Sequence, residues 1–252
     1  MKPTRNMLLV GLLALTSLLS AAVGAHPQAA EFDDIFVAAT QAYDENRLPD
    51  AIQGWESLLH ANQVLPEVLY NLGNARYRHG DLGQAIWAYR HAQRLAPRDP
   101  DIRANLNLAA QSAGITLPEF KPWSVVLLEF SRREWLVFGV ICFWLLFGTA
   151  AAWIVWPRSR FITRPAAWVL LGLMLMAGAG LLQYRALSKR PECVMMTPGQ
   201  NVLSSPLETA TPLLALPVGS IVRQLGQREN WIEVQAEGAR GWLAAASLAP
   251  IP

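Results

Sequence analysis

Asn71, Asn74 and Asn105, grouped in sequence with Tyr70, Tyr77 and Arg78, are the side chains in this chain best equipped for recognition chemistry. An asparagine amide donates to and accepts from a peptide backbone, and a guanidinium grips a carboxylate with two parallel hydrogen bonds. Asn71 and Asn105 stand 34 residues apart, which makes them a repeat-related pair. A packing role competes with this one: Tyr70 and Tyr77 can fill space between helices while Asn71 caps a neighbouring turn. Bond-making chemistry has far less to work with. His26, His60, His79 and His91 show no metal-ligand spacing with Cys, Asp or Glu. Ser204 and Ser205 have no base nearby, and the glycines from Gly172 to Gly180 sit in an apolar run rather than after a strand. No nucleophile, acid/base pair, metal ligand or cofactor cradle can be named, so the chain is expected not to be an enzyme and to need no cofactor.

The elements that position the amides follow from periodicity. Over Pro66 to Asp99, Leu72 and Ala75 and then Ala85, Tyr89 and Ala92 recur at helical spacing. Gly80-Asp81 separates the two runs and Pro97 stops the second. A shift of 34 residues back lays Ala51 on Ala85, Trp55 on Tyr89 and Asn46 on Gly80. A shift forward starts a third unit at Pro100-Asp101, with Ile102, Leu106 and Ala109 at core spacing, and the pattern fades after Gly114. Arg103, Asn107 and Gln111 give that last helix a polar outer face suited to a cap. Residues 31–115 therefore read as two repeats and a capping helix, and they resemble tetratricopeptide repeats. Arg76 departs from the pattern, occupying a position where an aromatic is usual, with Tyr77 beside it to take over part of that packing. In such repeats the first helix of each unit faces a concave groove, so the resemblance implies a peptide-binding groove lined by Tyr70, Asn71, Asn74, Tyr77, Arg78 and Asn105.

Residues 1–25 have a basic start at Lys2 and Arg5, an apolar run from Met7 to about Leu19 and a small-residue end at Val23 and Ala25. This is the pattern of a secretory signal, cleaved after Ala25 or retained as an anchor. After a linker at 116–134, Trp135 to Trp156 runs 22 residues without a charge, and Ala166 to Tyr184 runs 19 with Gln183 as its strongly polar member. Each is long enough to cross a bilayer core about 30 Å thick. Trp135, Trp153, Trp156 and Tyr184 stand near the ends, where interfacial aromatics belong. Gly148 with Ala152, and the Gly178-Ala179-Gly180 cluster, allow close helix approach. Two spans return the chain to the side it left. An exported repeat region puts loop 157–165, with Arg158, Arg160 and Arg164, in the cytoplasm and the C-terminal part outside again. The flanking Arg132, Arg133, Arg185, Lys189 and Arg190 do not agree cleanly with that orientation, which rests on the export signal.

Residues 193–252 change texture. Short runs around Val202, Leu216 to Val222, Trp231 to Val234 and Gly241 to Leu243 alternate with turn residues, as in a small β-barrel. Glu237-Gly238 supplies a hairpin turn between the two tryptophan strands, and Ala244 to Leu248 a short helical turn and last strand. The stretch resembles a bacterial SH3 domain, and the resemblance offers Trp231 and Trp242 as an aromatic surface for peptides, including those of peptidoglycan; half-burial as packing residues is the competing role.

Charge narrows the partners. Residues 31–118 carry 11 acidic and 7 basic side chains and residues 191–252 carry 5 and 3, so both soluble parts are acidic although the whole chain is +2. The positive excess gathers between Lys121 and Arg190, at the spans, where it can meet anionic lipid headgroups. Nucleic acid is set aside, because no basic stripe with interleaved aromatics lies outside that region. Cys142 falls within a span and Cys193 stands alone, which argues against an intramolecular disulfide.

The order of parts, signal, tetratricopeptide repeats, two-helix transmembrane hairpin and small all-β SH3-like barrel, resembles the BatE family of the Bat aerotolerance operons. That resemblance implies a non-catalytic inner-membrane scaffold with both soluble domains in the periplasm. It implies partners that are membrane-anchored von Willebrand A-domain proteins and, indirectly, a MoxR-type ATPase; the short 157–165 loop offers that ATPase little to hold. A cell-wall sensor whose barrel binds peptidoglycan is the competing function.

Overall fold

A computed structural model describes residues 27–117, 130–155, 160–189, 191–236 and 238–252. The signal segment, most of the linker, Trp156, Lys121, Arg158 and Glu237 lie outside the described residues. Among those described are seven α-helices and seven strands: α1 (Pro27–Asp44), α2 (Leu48–His60), α3 (Pro66–His79), α4 (Leu82–Leu95), α5 (Pro100–Ser112), α6 (Arg132–Val155), α7 (Arg160–Lys189), β1 (Glu192–Met195), β2 (Gln200–Leu203), β3 (Pro212–Leu216), β4 (Ile221–Arg228), β5 (Trp231–Ala236), β6 (Ala239–Ala244) and β7 (Leu248–Pro250), with a 3-10 turn at Ala245–Ser247 before β7.

The repeat frame is written in the backbone. Asn46, Gly80 and Gly114, spaced by 34, all adopt left-handed φ values of 61°, 94° and 68°. Each follows the end of a helix, where a left-handed residue lets the chain turn back while satisfying the last carbonyls. At Gly80 the following N–H of Asp81 reaches Arg76 O at 2.9 Å and the glycine's own N–H reaches Tyr77 O at 3.1 Å. Helices α2, α3 and α5 start with proline in the first turn, where its missing N–H costs nothing. Asp99 caps α5, its carboxylate accepting from the N–H groups of Asp101 at 2.9 Å and Ile102 at 3.2 Å.

Helices α1 and α2 pack as one pair, burying Ala39, Ala42, Ala51, Ile52, Trp55 and Leu58, with the Tyr43 and Trp55 rings 5.8 Å apart. Ala39 meets α2 at Gly54, where a Cβ would lie 2.8 Å from the Ala39 Cβ. In the second unit, α3, α4 and α5 bury Leu72, Ala75, Ala85, Tyr89, Ala92, Ile102, Leu106 and Ala109, the positions that periodicity marks as core. Tyr89 lies flat over Gly73, whose missing side chain makes the contact possible: a Cβ there would sit 2.6 Å from the ring. Arg76 pairs with Asp81 at 2.7 Å, and the Tyr77 ring packs against the shared core.

Helices α6 and α7 lie antiparallel. Trp135 covers Gly180 near one end, Gly139 meets Ala177 in the middle, and Trp153 bonds Thr163 near the other end. Close approach thus uses Gly139 and Gly180, whereas Gly148 and Gly178 have open space where a side chain would project. Both helices are long and apolar enough to cross a membrane. Their outward side chains include Trp144 at 62% and Trp168 at 74% exposure, which suits hydrocarbon and not water. The second begins at Arg160 and runs through Pro165 to Lys189, longer at both ends than the apolar stretch 166–184, and its apolar span starts already at Phe161.

The C-terminal strands form one antiparallel sheet in the order β3-β2-β6-β5-β4-β1-β7. Strand β1 pairs with the last strand and with β4, β4-β5-β6 is a meander, and the 3-10 turn precedes β7. This is an SH3-like arrangement, with the β2-β3 hairpin as the long insertion between the first strand and the meander. The ladder does not close: β3 and β7 are its two edges, so the expected barrel is an open sheet curled around Val202, Leu216, Val222, Val234 and Leu243. Gly238 turns the β5-β6 hairpin at φ 83°.

Candidate functional site

Strand β1 leads out of the hairpin and lies against α4. Val194 and Ile251 of the sheet enter the same core as Ala85, Ile86, Tyr89, Leu106 and Ala109. Gly83 lets the Val218 turn and the Met195 carbonyl approach α4, with a hypothetical Cβ only 2.9 Å and 3.0 Å from them. Burying each of Val194 and Ile251 contributes about 1.5–3 kcal/mol. The polar part of the seam is as close. Arg90 donates from Nε to Glu192 Oε2 at 3.0 Å and from Nη2 to Oε1 at 3.1 Å, with the two residues 5% and 3% exposed. Arg94 adds a 3.3 Å bond to Glu192 and donates to Ile251 O at 2.7 Å. Trp87 Nε1 donates to Pro250 O at 2.9 Å. Burial pushes the Glu192 carboxyl up, but Arg90 and Arg94 outweigh it and hold it below the ordinary carboxylate value. Beside them His91, buried against the Trp87 ring, is pulled down to about 4 by burial and by Arg94.

The six residues of the expected groove fall on α3 and α5, and the Tyr70 and Tyr77 rings pack against the core that Val194 and Ile251 enter. Asn74 Oδ1 accepts from Tyr89 Oη at 2.7 Å and from Asn105 Nδ2 at 2.8 Å, and Asn105 Nδ2 also donates to Tyr70 Oη at 3.1 Å. Tyr77 Oη is bonded to Ser112 Oγ at 2.9 Å. The structure therefore joins Tyr70, Asn74 and Asn105 in one half-buried network anchored on the core tyrosine Tyr89, and Tyr77 bridges α3 to the end of α5. Asn71 is half-buried and, among the described residues, its amide has no hydrogen-bond partner; Arg78 is exposed on the same helix. Asn74 is thus held inside the network, whereas Asn71 on the same helix stands outside it.

Trp231 and Trp242 are brought to one face of the sheet. Register pairs Trp231 with Ala244 and Glu233 with Trp242, so the tryptophans stand diagonally on the side opposite the core residues Ile232, Val234 and Leu243. Both are half-buried. The Arg228 guanidinium lies 5.7 Å from the Trp242 ring centroid, and Arg240 pairs with Glu233 at 2.7 Å on the same face. This face is free of the α4 seam, which uses β1, β7 and the turn before β4.

Sequence reasoning missed the seam. Arg90 and Arg94, one helical turn apart, carry no sign of a partner some hundred residues away, and Glu192 lay just before the boundary expected for the sheet domain at 193. Among the described residues no group of His, Cys, Asp or Glu is placed to hold a metal ion. Cys193 is buried in the sheet core, and burial raises its thiol to about 11, which leaves it unreactive.

No family model matches the chain, and no curated protein matches it. Among solved structures it is similar to the crystal structure of the C-terminal SH3 domain of myosin IB from Entamoeba histolytica, at 21% identity over 25% of this chain and 95% of that chain, with a TM-score of 0.18.

Proposed function

We propose that the chain is a membrane-anchored, non-catalytic adaptor that gathers partner proteins on one side of a bilayer through its repeat region. The observation that carries this reading is the division of labour on the repeats: α4 is occupied by the sheet domain, while α3 and α5 present Asn71, Arg78 and the edge of the tyrosine-asparagine network outward. A surface of amides and phenols at a helical groove suits an extended peptide, whose backbone needs donors and acceptors together. Hairpin α6-α7 would anchor the adaptor, with the repeats and the sheet domain on the same side of the membrane. Docking of β1 on α4 supports that parity, since a strand that follows the second span could not otherwise reach a helix that precedes the first.

The export signal puts that side in the periplasm of a bacterial inner membrane. The BatE resemblance supplies a partner class, von Willebrand A-domain membrane proteins, with a MoxR-type ATPase reached through them. Affinity isolation from membranes in mild detergent, comparing the wild type with Asn71→Ala/Arg78→Ala, tests this: partners lost in the variant support the adaptor. A second reading, wall sensing, draws on the shared outward face of Trp231 and Trp242; it requires sedimentation with purified peptidoglycan sacculi that is lost in Trp242→Ala.

A further inference from the structure

The membrane hairpin has two feet, and one short stretch of the repeat region holds both. Arg90, Arg94 and Arg98 follow one another at four-residue intervals, the first two on α4 and the third in the turn after it. Arg90 and Arg94 share Glu192, which lies just beyond Lys189 at the end of α7. Arg98 pairs with Glu134 in the first turn of α6 and lies 5.0 Å over the Phe130 ring. Glu134 is itself fixed: its Oε2 accepts from the Ser131 N–H at 2.8 Å while Ser131 Oγ accepts from the Glu134 N–H at 3.3 Å, a capping box that starts the first span. The feet are also tied to each other, since Tyr184 Oη donates to Phe130 O at 2.7 Å.

We propose that Arg90, Arg94 and Arg98 form a clamp that couples the repeats to the membrane hairpin, with α4 as the mount shared by both feet. A buried ion pair adds little net stability relative to apolar packing but penalises every arrangement that separates its charges, so its effect is to fix register. Here the register fixed is that of β1, and with it the exit of the second span. The Arg98 pair is exposed and worth little alone; it aligns the entry of the first span with the same helix. A partner that displaces α4 then displaces both feet together, which gives the repeat region a mechanical route to the hairpin. The coupling rests on the reading of α6 and α7 as membrane-crossing.

The full-length protein in lipid nanodiscs, spin-labelled at exposed Gln84 on α4 and Glu208 in the β2-β3 loop, reports the α7 foot; Gln84 with exposed Arg133 reports the α6 foot. Cys142 and Cys193 are buried and stay unlabelled. The clamp predicts one narrow distance for each pair. Glu192→Lys removes the narrow Gln84–Glu208 peak, and Arg90→Glu combined with Glu192→Arg restores it. Arg98→Ala broadens the Gln84–Arg133 distance and leaves the other narrow. Distances unmoved by Glu192→Lys and Arg98→Ala overturn the clamp, as does broadening that the charge exchange fails to reverse. Extraction by alkaline carbonate is scored separately: release from membranes refutes the span reading while the distances still decide the clamp.

Discussion

Arg90 and Glu192, 102 residues apart in sequence, meet through two nearly parallel hydrogen bonds of 3.0 and 3.1 Å in a buried seam between a repeat helix and the first strand of the sheet domain. Removing one partner leaves the other charge buried without its main compensation. Arg90→Ala is expected to cost about 3–5 kcal/mol. Replacing both, as Arg90→Met with Glu192→Leu, is expected to recover most of that loss. Denaturant unfolding of the purified protein in detergent, followed by tryptophan fluorescence, checks the pair; a double-variant loss equal to the sum of the losses in Arg90→Met and Glu192→Leu alone would show that the charges do not interact.

The same seam sets an acid limit. His91, with an ordinary value of 6.5, is held at about 4, so the folded protein binds fewer protons than the unfolded chain between those values and stability falls as pH drops from about 6.5 to about 4. Glu192 is held below its ordinary 4.5, so its contribution is intact above that pH and is lost as pH falls through the lower folded value. Thermal unfolding should be flat near neutrality, decline from about 6.5, and decline further below 4.5. His91→Gln should remove the first decline and leave the second; a first decline that persists in His91→Gln assigns it elsewhere.

Asn71 and Asn74 differ in spite of their proximity on α3. Asn74→Ala strips the Tyr89 hydroxyl and the Asn105 amide of a shared acceptor and is expected to cost about 1–3 kcal/mol. Asn71→Ala is expected to stay within about 0.5 kcal/mol. Melting temperatures of the two single variants separate the roles, and equal melting temperatures would contradict the network.

The left-handed turn at Asn46 predicts a sensitivity of the backbone itself. Asn46→Ala places an ordinary residue at φ 61° and is expected to destabilise by about 1–2 kcal/mol, while Asn46→Gly is tolerated. Unfolding midpoints of the two variants test it; a neutral Asn46→Ala removes the strain argument.

Much of this architecture is legible in the residues. Trp55 and Tyr89 stand 34 residues apart and are both buried, each four residues after a buried alanine, Ala51 and Ala85, and Asn46 falls on Gly80 because asparagine is the commonest substitute for glycine in a left-handed turn. Alternation around Trp231 and Trp242 places both on the outward face. Docking of the sheet on α4 was not legible, because a single Glu before a strand and two arginines on a helix are ordinary surface signals until the fold brings them together. The openness of the sheet was hidden too, since short strands with turns at intervals describe closed and open ladders alike. Among the residues of the expected groove, spacing placed Asn71 and Asn74 on the same helix face without revealing that Tyr89, a core residue, claims one of them.

The most direct test of the adaptor reading is affinity isolation of the full-length protein from its native membranes in mild detergent, beside Asn71→Ala/Arg78→Ala, with the bound proteins identified by mass spectrometry. The account predicts a defined set of membrane proteins that is lost in the variant although its melting temperature is unchanged. An identical set recovered with wild type and variant would contradict it.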